Sequence, residues 1–385
     1  MFYTKVDLGA SETRYMGEGT PVMILPNDTY FVEMDYDNDL SVDNKEDFIN
    51  GLDVRIVKDG PSDYFPTRAL IGTMATRTTP NPVKPAGNKL KSNQKVNFVS
   101  VITATAHTMM NVQGATIPEV VLMLAFPPME LTIKGQKQYI KEQFMGTYTV
   151  TFEKLDKTVA FKVVDVVPSQ ESFLAMMAFN VDQTGRKTEF YNEYSSGDVM
   201  SIDIGASTTD IVVFQNGKYV EHSAHTVASG GNVAIQFFIE EFRRGEQGYK
   251  ITKEQAKEAF ITGRTRDGNQ WKDVSKYVDR AKRRFSDKVI SDLRDYFEAK
   301  NLTEQAIRAI CISGGGSMES SYEENGVVIK TTEPMSHYIT EYIKESSPNL
   351  VVKQYDGNAR HANVNGLNVL AKFHSARMKA QAQRQ

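Results

Sequence analysis

The 385-residue chain has one cysteine, Cys311, so a disulfide framework is excluded and a reducing, cytoplasmic setting is expected. Cys311 lies inside an apolar run, Ile310-Cys311-Ile312, and reads as core rather than nucleophile. No apolar run approaches the ~18 residues of a membrane span. Strand-like sequence starts at Phe2, so no signal peptide and no membrane contact are expected. Charge is nearly balanced, 45 Lys and Arg against 48 Asp and Glu, which argues against bulk electrostatic binding of nucleic acid. His222, His225, His337, His361 and His374 have no metal-ligand spacing.

What the chain does have is a repeated turn. Residues 200–214, MSIDIGASTTDIVVF, place Asp203 and a small hydroxyl-rich turn between two apolar runs that read as strands. Backbone N–H groups of such a turn can converge on anionic oxygens, and an Asp ending the first strand can hold a magnesium ion through its waters. Dinucleotide and Walker loops lead from glycine into a helix, whereas this one turns back into a strand. The same figure occurs at residues 5–15, KVDLGASETRY. Asp7/Asp203, Gly9/Gly205, Ala10/Ala206 and Ser11/Ser207 share an offset of 196 residues (203 minus 7), which predicts a duplicated half. A third cluster, Ser313-Gly314-Gly315-Gly316-Ser317-Met318, follows a β-rich run and would let backbone lie flat against a purine.

Two such hairpins followed by a Gly-Gly-Gly turn resemble the actin, sugar-kinase and heat-shock-chaperone ATPase superfamily. Residues 167–175 resemble its first connecting helix and residues 358–367 its second. Alanine at Ala10 and Ala206, where many members have a second glycine, departs from the pattern. The resemblance implies an α/β fold of two related domains with a nucleotide cleft between them. The expected domains are 1–190, with an insert subdomain at about 23–96, and 191–385, with a helical subdomain at about 245–303.

It also implies ATP hydrolysis, which needs charge neutralisation, positioning and an oriented water. Asp203 and Asp7 are the candidate Mg2+ ligands, with turn-capping as their plainer role. Gly9, Ser11, Thr13, Gly205, Ser207, Thr208 and Thr209 are expected at the phosphates. Arg14 stands where related filament proteins place a phosphate-contacting Lys, and Gly230 with Gly231 resembles the family's glycine turn at the phosphates. Gly314, Gly315, Ser317 and Met318 are expected at base and ribose, flanked by Lys257 and Glu258. Within the first connecting helix Glu171 is the candidate water-orienting residue, and Gln170 stays open because actins proper use a Gln there. ATP is the expected nucleotide, with GTP open.

The apolar run at 120–126, ending in Pro127-Pro128-Met129-Glu130, and Asn363-Val364-Asn365-Gly366-Leu367 resemble plasmid-segregating ParM-type actins. That implies a bacterial self-assembling filament ATPase working with a DNA-binding adaptor on a plasmid centromere. A soluble small-molecule kinase or phosphatase is the competing class, and a non-catalytic nucleotide-dependent scaffold a third.

Along the chain, residues 23–95 read as irregular apart from strand-like pieces at 30–34 and 52–57. Its last part, 79–95, holds three prolines among lysines and reads as an exposed loop, a candidate filament contact. Helical spacing appears at 97–113, from 229 onward, at 252–262 and at 273–300, and residues 119–126 read as a buried strand. Residues 375–385 read as a fraying tail.

Overall fold

The computed structural model describes residues 1–32, 50–87, 89–112, 116–246, 250–300 and 307–383. Parts of the expected insert (33–49) and helical subdomain (247–249, 301–303), the end of the 30–34 strand piece and Gln113 lie outside them.

By internal contacts the chain divides into two units, Met1–Leu174 with Asn363–Gln385, and Ala175–Ala362. The expected division at 190/191 is therefore displaced, and the C-terminal segment returns to the first unit.

In the first unit, nine strands among the described residues form one sheet: β1 (Phe2–Leu8), β2 (Glu12–Met16), β3 (Met23–Pro26), β4 (Thr29–Val32), β5 (Gly51–Lys58), β6 (Thr67–Gly72), β7 (Glu119–Phe126), β8 (Gly146–Phe152) and β9 (Lys157–Gln170). Their order is β3-β2-β1-β7-β9-β8-β5-β6-β4, with β1, β7 and β9 parallel. The stretch expected to be mostly irregular is thus more ordered among its described residues, because β3 to β6 all join the main sheet. β3 and β4 lie at opposite ends of the sheet order yet are separated by only Asn27 and Asp28, so the sheet curls until its edges meet.

Helices α1 (Thr73–Thr78), α2 (Lys95–Met109), α3 (Pro128–Leu131) and α4 (Gln136–Phe144) belong to this unit. Val6 and Leu8, with Val120, Leu122, Leu124 and Phe126, pack in one core with Phe98 and Ile102 of α2. The alternate residues Tyr3, Val121, Met123 and Ala125 pack on the other face with Leu174, Leu367 and Ala371. Covering both faces explains the unbroken apolar run of β7, and each such side chain contributes roughly 1.5–3 kcal/mol. α2 is buried almost all round, and Ser100 and Thr105 donate their hydroxyls one turn back to the carbonyls of Val96 and Val101, at 3.0 and 2.8 Å.

Residues 167–170 are strand, not helix: β9 runs through Gln170, and α5 (Glu171–Asn180) starts at Glu171. Pro168 imitates a helix start. It is tolerated in β9 because β8 pairs with β9 only as far as Val163, leaving β7 as the neighbour beyond.

The second unit follows the same plan. After α6 (Tyr191–Ser196) come β10 (Asp198–Ile204), β11 (Thr209–Gln215), β12 (Lys218–Tyr219), β13 (His225–Val227), α7 (Gly231–Gly245), α8 (Lys253–Thr262), the hairpin β14 (Arg264–Asp267) and β15 (Gln270–Asp273), and α9 (Ser275–Ala299). β16 (Ile307–Ser313), the hairpin β17 (Ser320–Glu324) and β18 (Val327–Thr332), α10 (Met335–Ser346) and β19 (Val351–Gln354) complete it. The sheet order is β12-β11-β10-β16-β19, with β13 on β11. Its core joins Ile202, Ile204, Ile211 and Val213 to Phe238 and Phe242 of α7 and to Val278, Phe285 and Val289 of α9. Cys311, alternating on β16 with the core residues Ile310 and Ile312, is fully buried on the other face of the sheet, and burial pushes its thiol well above the usual range. The final helix, α11 (Ala362–Ala382), runs through most of the segment expected to fray. No helix among the described residues is long and apolar enough to cross a membrane.

Candidate functional site

In the second unit the expected phosphate hairpin is β10–β11. Because Ile202, Ile204, Ile211 and Val213 turn into the core, the alternate Asp203 and Asp210, paired across the strands, share the opposite face. They are 6% and 2% exposed. Gly205 N–H donates to the Thr208 carbonyl at 2.9 Å, closing the turn.

Two further segments are built onto that turn. Gly231 N–H donates to the Gly205 carbonyl (2.9 Å) and Asn232 N–H to the Ala206 carbonyl (2.8 Å), so the start of α7 is docked on it. A β-carbon on Gly230 would lie 2.6 Å from Gly205 O and 2.7 Å from the Thr208 nitrogen, leaving glycine as the residue that fits. β16 pairs with β10 so that Ser313 stands opposite Asp203. Gly314 follows with φ of +83°, and its β-carbon would fall 2.3 Å from Asp203 Oδ1. The chain then makes a 3-10 turn, Gly315–Ser317, in which the Ser317 hydroxyl is buried without a hydrogen-bond partner among the described residues. Asp203, Gly205, Gly230, Gly231 and Gly314 thus gather in one place from three separate stretches of sequence.

Thr209 is not at that surface. It is fully buried and donates to the Ser229 carbonyl at 2.8 Å, bracing the approach to Gly230. Ser207 and Thr208 are half-buried, and Thr208 donates to Asp210 at 3.2 Å. Asp210, absent from the expected set, also accepts from Thr226 at 2.5 Å. Its signal in the sequence is the offset that relates it to Arg14. α8 packs near Met318 through the Ser320 hydroxyl, which donates to the Phe260 carbonyl at 2.6 Å. Lys257 is half-buried and Glu258 exposed, and among the described residues no hydrogen bond or ion pair joins either side chain to the 314–318 turn.

In the first unit β1–β2 repeats the hairpin, with Asp7 opposite Arg14. The Arg14 guanidinium contacts Asp7 Oδ2 at 3.4 Å and Glu12 Oε1 at 2.5 Å. Burial disfavours its charge, but the two carboxylates outweigh that and raise its pKa. Arg14 is therefore engaged by acids rather than presented alone. Thr13 is fully buried and donates to Asn27 Oδ1 (2.8 Å), while Asn27 Nδ2 donates to Gly9 O (2.6 Å); Thr13 is a strut, and Ser11 is the exposed hydroxyl of the turn. Gln170 ends β9 opposite Phe126. Glu171, one residue on, is 7% exposed and pairs with Lys91 at 2.5 Å. Lys91 also donates to the Leu8 carbonyl.

A backbone-lined cradle that β-carbons would fill, a carboxylate at its edge and an unpartnered serine hydroxyl fit the phosphates and magnesium of a nucleotide better than an all-protein metal cage. Among the described residues no group of three or more His, Cys, Asp or Glu is placed to hold a metal.

Residues 201–321 match the family described as archaeal actin homologue MreB-like, C-terminal. No curated protein matches the chain by sequence. Over its length it superposes on the actin-like protein Alp7A with a TM-score of 0.76 at 18% identity, covering 99% of this chain and 98% of that one. A 15-stranded ParM filament from Clostridium botulinum gives 0.66 at 18%, covering 96% and 99%. Ta0583, an archaeal actin homolog in complex with ADP, gives 0.67 at 15%, covering 97% and 99%. The resemblance carried by the two hairpins is borne out at the level of the fold: the chain has the actin-like fold, and its residues 201–321 match the MreB-like C-terminal family.

Proposed function

We propose that the chain is a nucleotide-driven, filament-forming ATPase that segregates plasmid DNA in the bacterial cytoplasm, coupled to its cargo by a DNA-binding adaptor. One observation carries the nucleotide part of this reading: the Gly205–Thr208 turn, Gly230, Gly231 and Gly314 converge beside Asp203, where a β-carbon on Gly230 or Gly314 would clash with backbone or with Asp203 itself. Backbone N–H groups of Ser207 and Thr208, on the turn that Gly205 closes, would take phosphate oxygens, Asp203 would hold the water shell of Mg2+, and Gly314, Gly315, Ser317 and Met318 would take base and ribose. Asp7, Gly9 and Ser11 would serve the phosphates from the first unit. Bound Mg2+ would neutralise charge on the phosphates. Glu171 is the residue proposed to orient water and accept its proton, being a carboxylate where Gln170 could only orient.

The relatives supply the assembly part. Similarity to a ParM filament supports polymerisation, and similarity to Alp7A and ParM supports plasmid segregation. A head-to-tail contact between identical subunits gives a filament when its rotation does not close into a ring. Light scattering above a critical concentration should rise on adding ATP and decay as the nucleotide is consumed, and the protein should pellet with ATP but not with ADP. Phosphate release with flat scattering would favour the soluble kinase or phosphatase class.

A further inference from the structure

The loop at 79–95 does not end as free surface. Its last turn, at Lys91–Asn93, is fixed from several directions. The backbone N–H groups of Lys91 and Ser92 both donate to the buried Glu130 carboxylate, at 2.8 and 2.9 Å. Asn97 Nδ2 donates to the Lys91 carbonyl (2.9 Å) and Gln136 Nε2 to the Ser92 hydroxyl (2.5 Å). Residues of α2, α3 and α4 therefore determine where the Lys91 side chain starts.

That side chain ends on two groups. One is Glu171 Oε1, at 2.5 Å, on the first residue of α5. The other is the carbonyl of Leu8, the last residue of β1 before the Gly9 turn. A carboxylate only 7% exposed is costly without a cation, and Lys91 is that cation. A single ammonium on an anchored backbone thus joins the carboxylate to the strand that carries the first hairpin.

We propose that Lys91 is a positioning residue for hydrolysis, holding Glu171 ionised and aimed while tying it to the end of β1. This rests on the reading of Glu171 given above. Lys91 acts through Glu171 and needs no contact with the nucleotide.

The test uses the full chain as wild type, Lys91→Met, Lys91→Arg, Glu171→Gln and the Lys91→Met/Glu171→Gln double variant. Single-turnover phosphate release, ATP affinity and melting temperature are measured for each. Lys91→Met should slow release at least tenfold with ATP affinity within about twofold of wild type. Lys91→Arg should fall between the two, because charge is kept while the wider guanidinium shifts the carboxylate. The double variant should be no slower than Glu171→Gln alone, the non-additivity of groups acting as one unit. Losses that multiply in the double variant, an unchanged Lys91→Met rate, or a defect confined to affinity or melting would overturn the inference. If Lys91→Met does not fold, Lys91→Arg decides: slower release at unchanged affinity supports the role, and a wild-type rate overturns it. A wild type that releases no phosphate overturns the ATPase reading itself, a result separable from all of these.

Discussion

Asp203 and Asp210 face each other across the β10–β11 pair, both nearly buried and on the same side of the sheet. The equivalent positions in the first hairpin are Asp7 and Arg14, so the duplicated figure holds an ion pair in one unit and two acids in the other. Like charges directly opposed are destabilising. Thr208 and Thr226 donate to Asp210, and a cation bound beside the two carboxylates would offset their mutual repulsion. This asymmetry makes Asp203, rather than Asp7, the stronger candidate for magnesium.

Replacing Asp203 by Ala should leave the fold intact and abolish magnesium-dependent phosphate release. The far-ultraviolet circular dichroism should match wild type while turnover falls by roughly a hundredfold or more. Release within about twofold of wild type would remove Asp203 from the proposed site.

Glu171→Ala should slow hydrolysis by roughly a hundredfold while sparing ATP binding, the pattern of a lost water-positioning base. Filaments formed with ATP should then outlast those of the wild type. Disassembly at the wild-type rate, followed by scattering, would shift the role to Gln170 or elsewhere.

Gly314→Ala adds a β-carbon 2.3 Å from Asp203 Oδ1 and 2.5 Å from Ile204 O, at a φ of +83°. The cost should be about 1–3 kcal/mol, seen as a lower denaturant midpoint, with nucleotide affinity reduced tenfold or more. Gly315→Ala meets only the Arg360 side chain, at 3.7 Å, and should behave close to wild type in stability. Equal effects of the two would contradict the packing around Asp203.

Lys282 is a buried cation on α9, donating to Ser320 Oγ, Thr332 Oγ1 and Glu333 O at 2.7–2.8 Å. Burial pulls its pKa down to about 7, against the opposing pull of Asp279, Glu333 and Glu319, with Lys330 assisting burial. Since the unfolded chain holds this proton up to about pH 10, the native state is relatively favoured as pH rises from 7 toward 10, and below 7 the effect is constant. Wild type should therefore gain melting temperature over Lys282→Met as pH rises through that window. A difference that stays constant from pH 7 to 10 would show that Lys282 is not titrating.

The two hairpins and the glycine turn were legible because each is a local figure: strand, tight turn, strand, with alternating residues choosing the face. The cradle itself was only half legible. Gly230, Gly231 and Gly314 could be named as candidate nucleotide contacts, but the docking of α7 on the 205–208 turn and the pairing of β16 with β10, which brings Gly314 to Asp203, are not encoded in local pattern. Thr13 and Thr209 read as phosphate donors because hydroxyls near a turn look alike; the pleat sends both inward. Lys91 was hidden inside a segment whose prolines and lysines look solvated, and its meaning lies in Glu130 and Glu171, 39 and 80 residues away. Gln170 looked like a neighbour of Glu171 on one helix, whereas β9 carries the first and α5 the second.

The two-residue link at Asn27 and Asp28 changes how far the first hairpin reaches. Through the ladder, β1 and β4 are separated by five strands. At the link they are almost adjacent: Asn27 holds Gly9 O with its amide and Ser11 O with its backbone N–H, and Asp28 O accepts from Gly72 N–H at the end of β6. The sheet behaves here as a hoop pinned at one rivet. The Gly9 turn is thereby tied to the start of β4 and the end of β6 by hydrogen bonds that bypass the strands between.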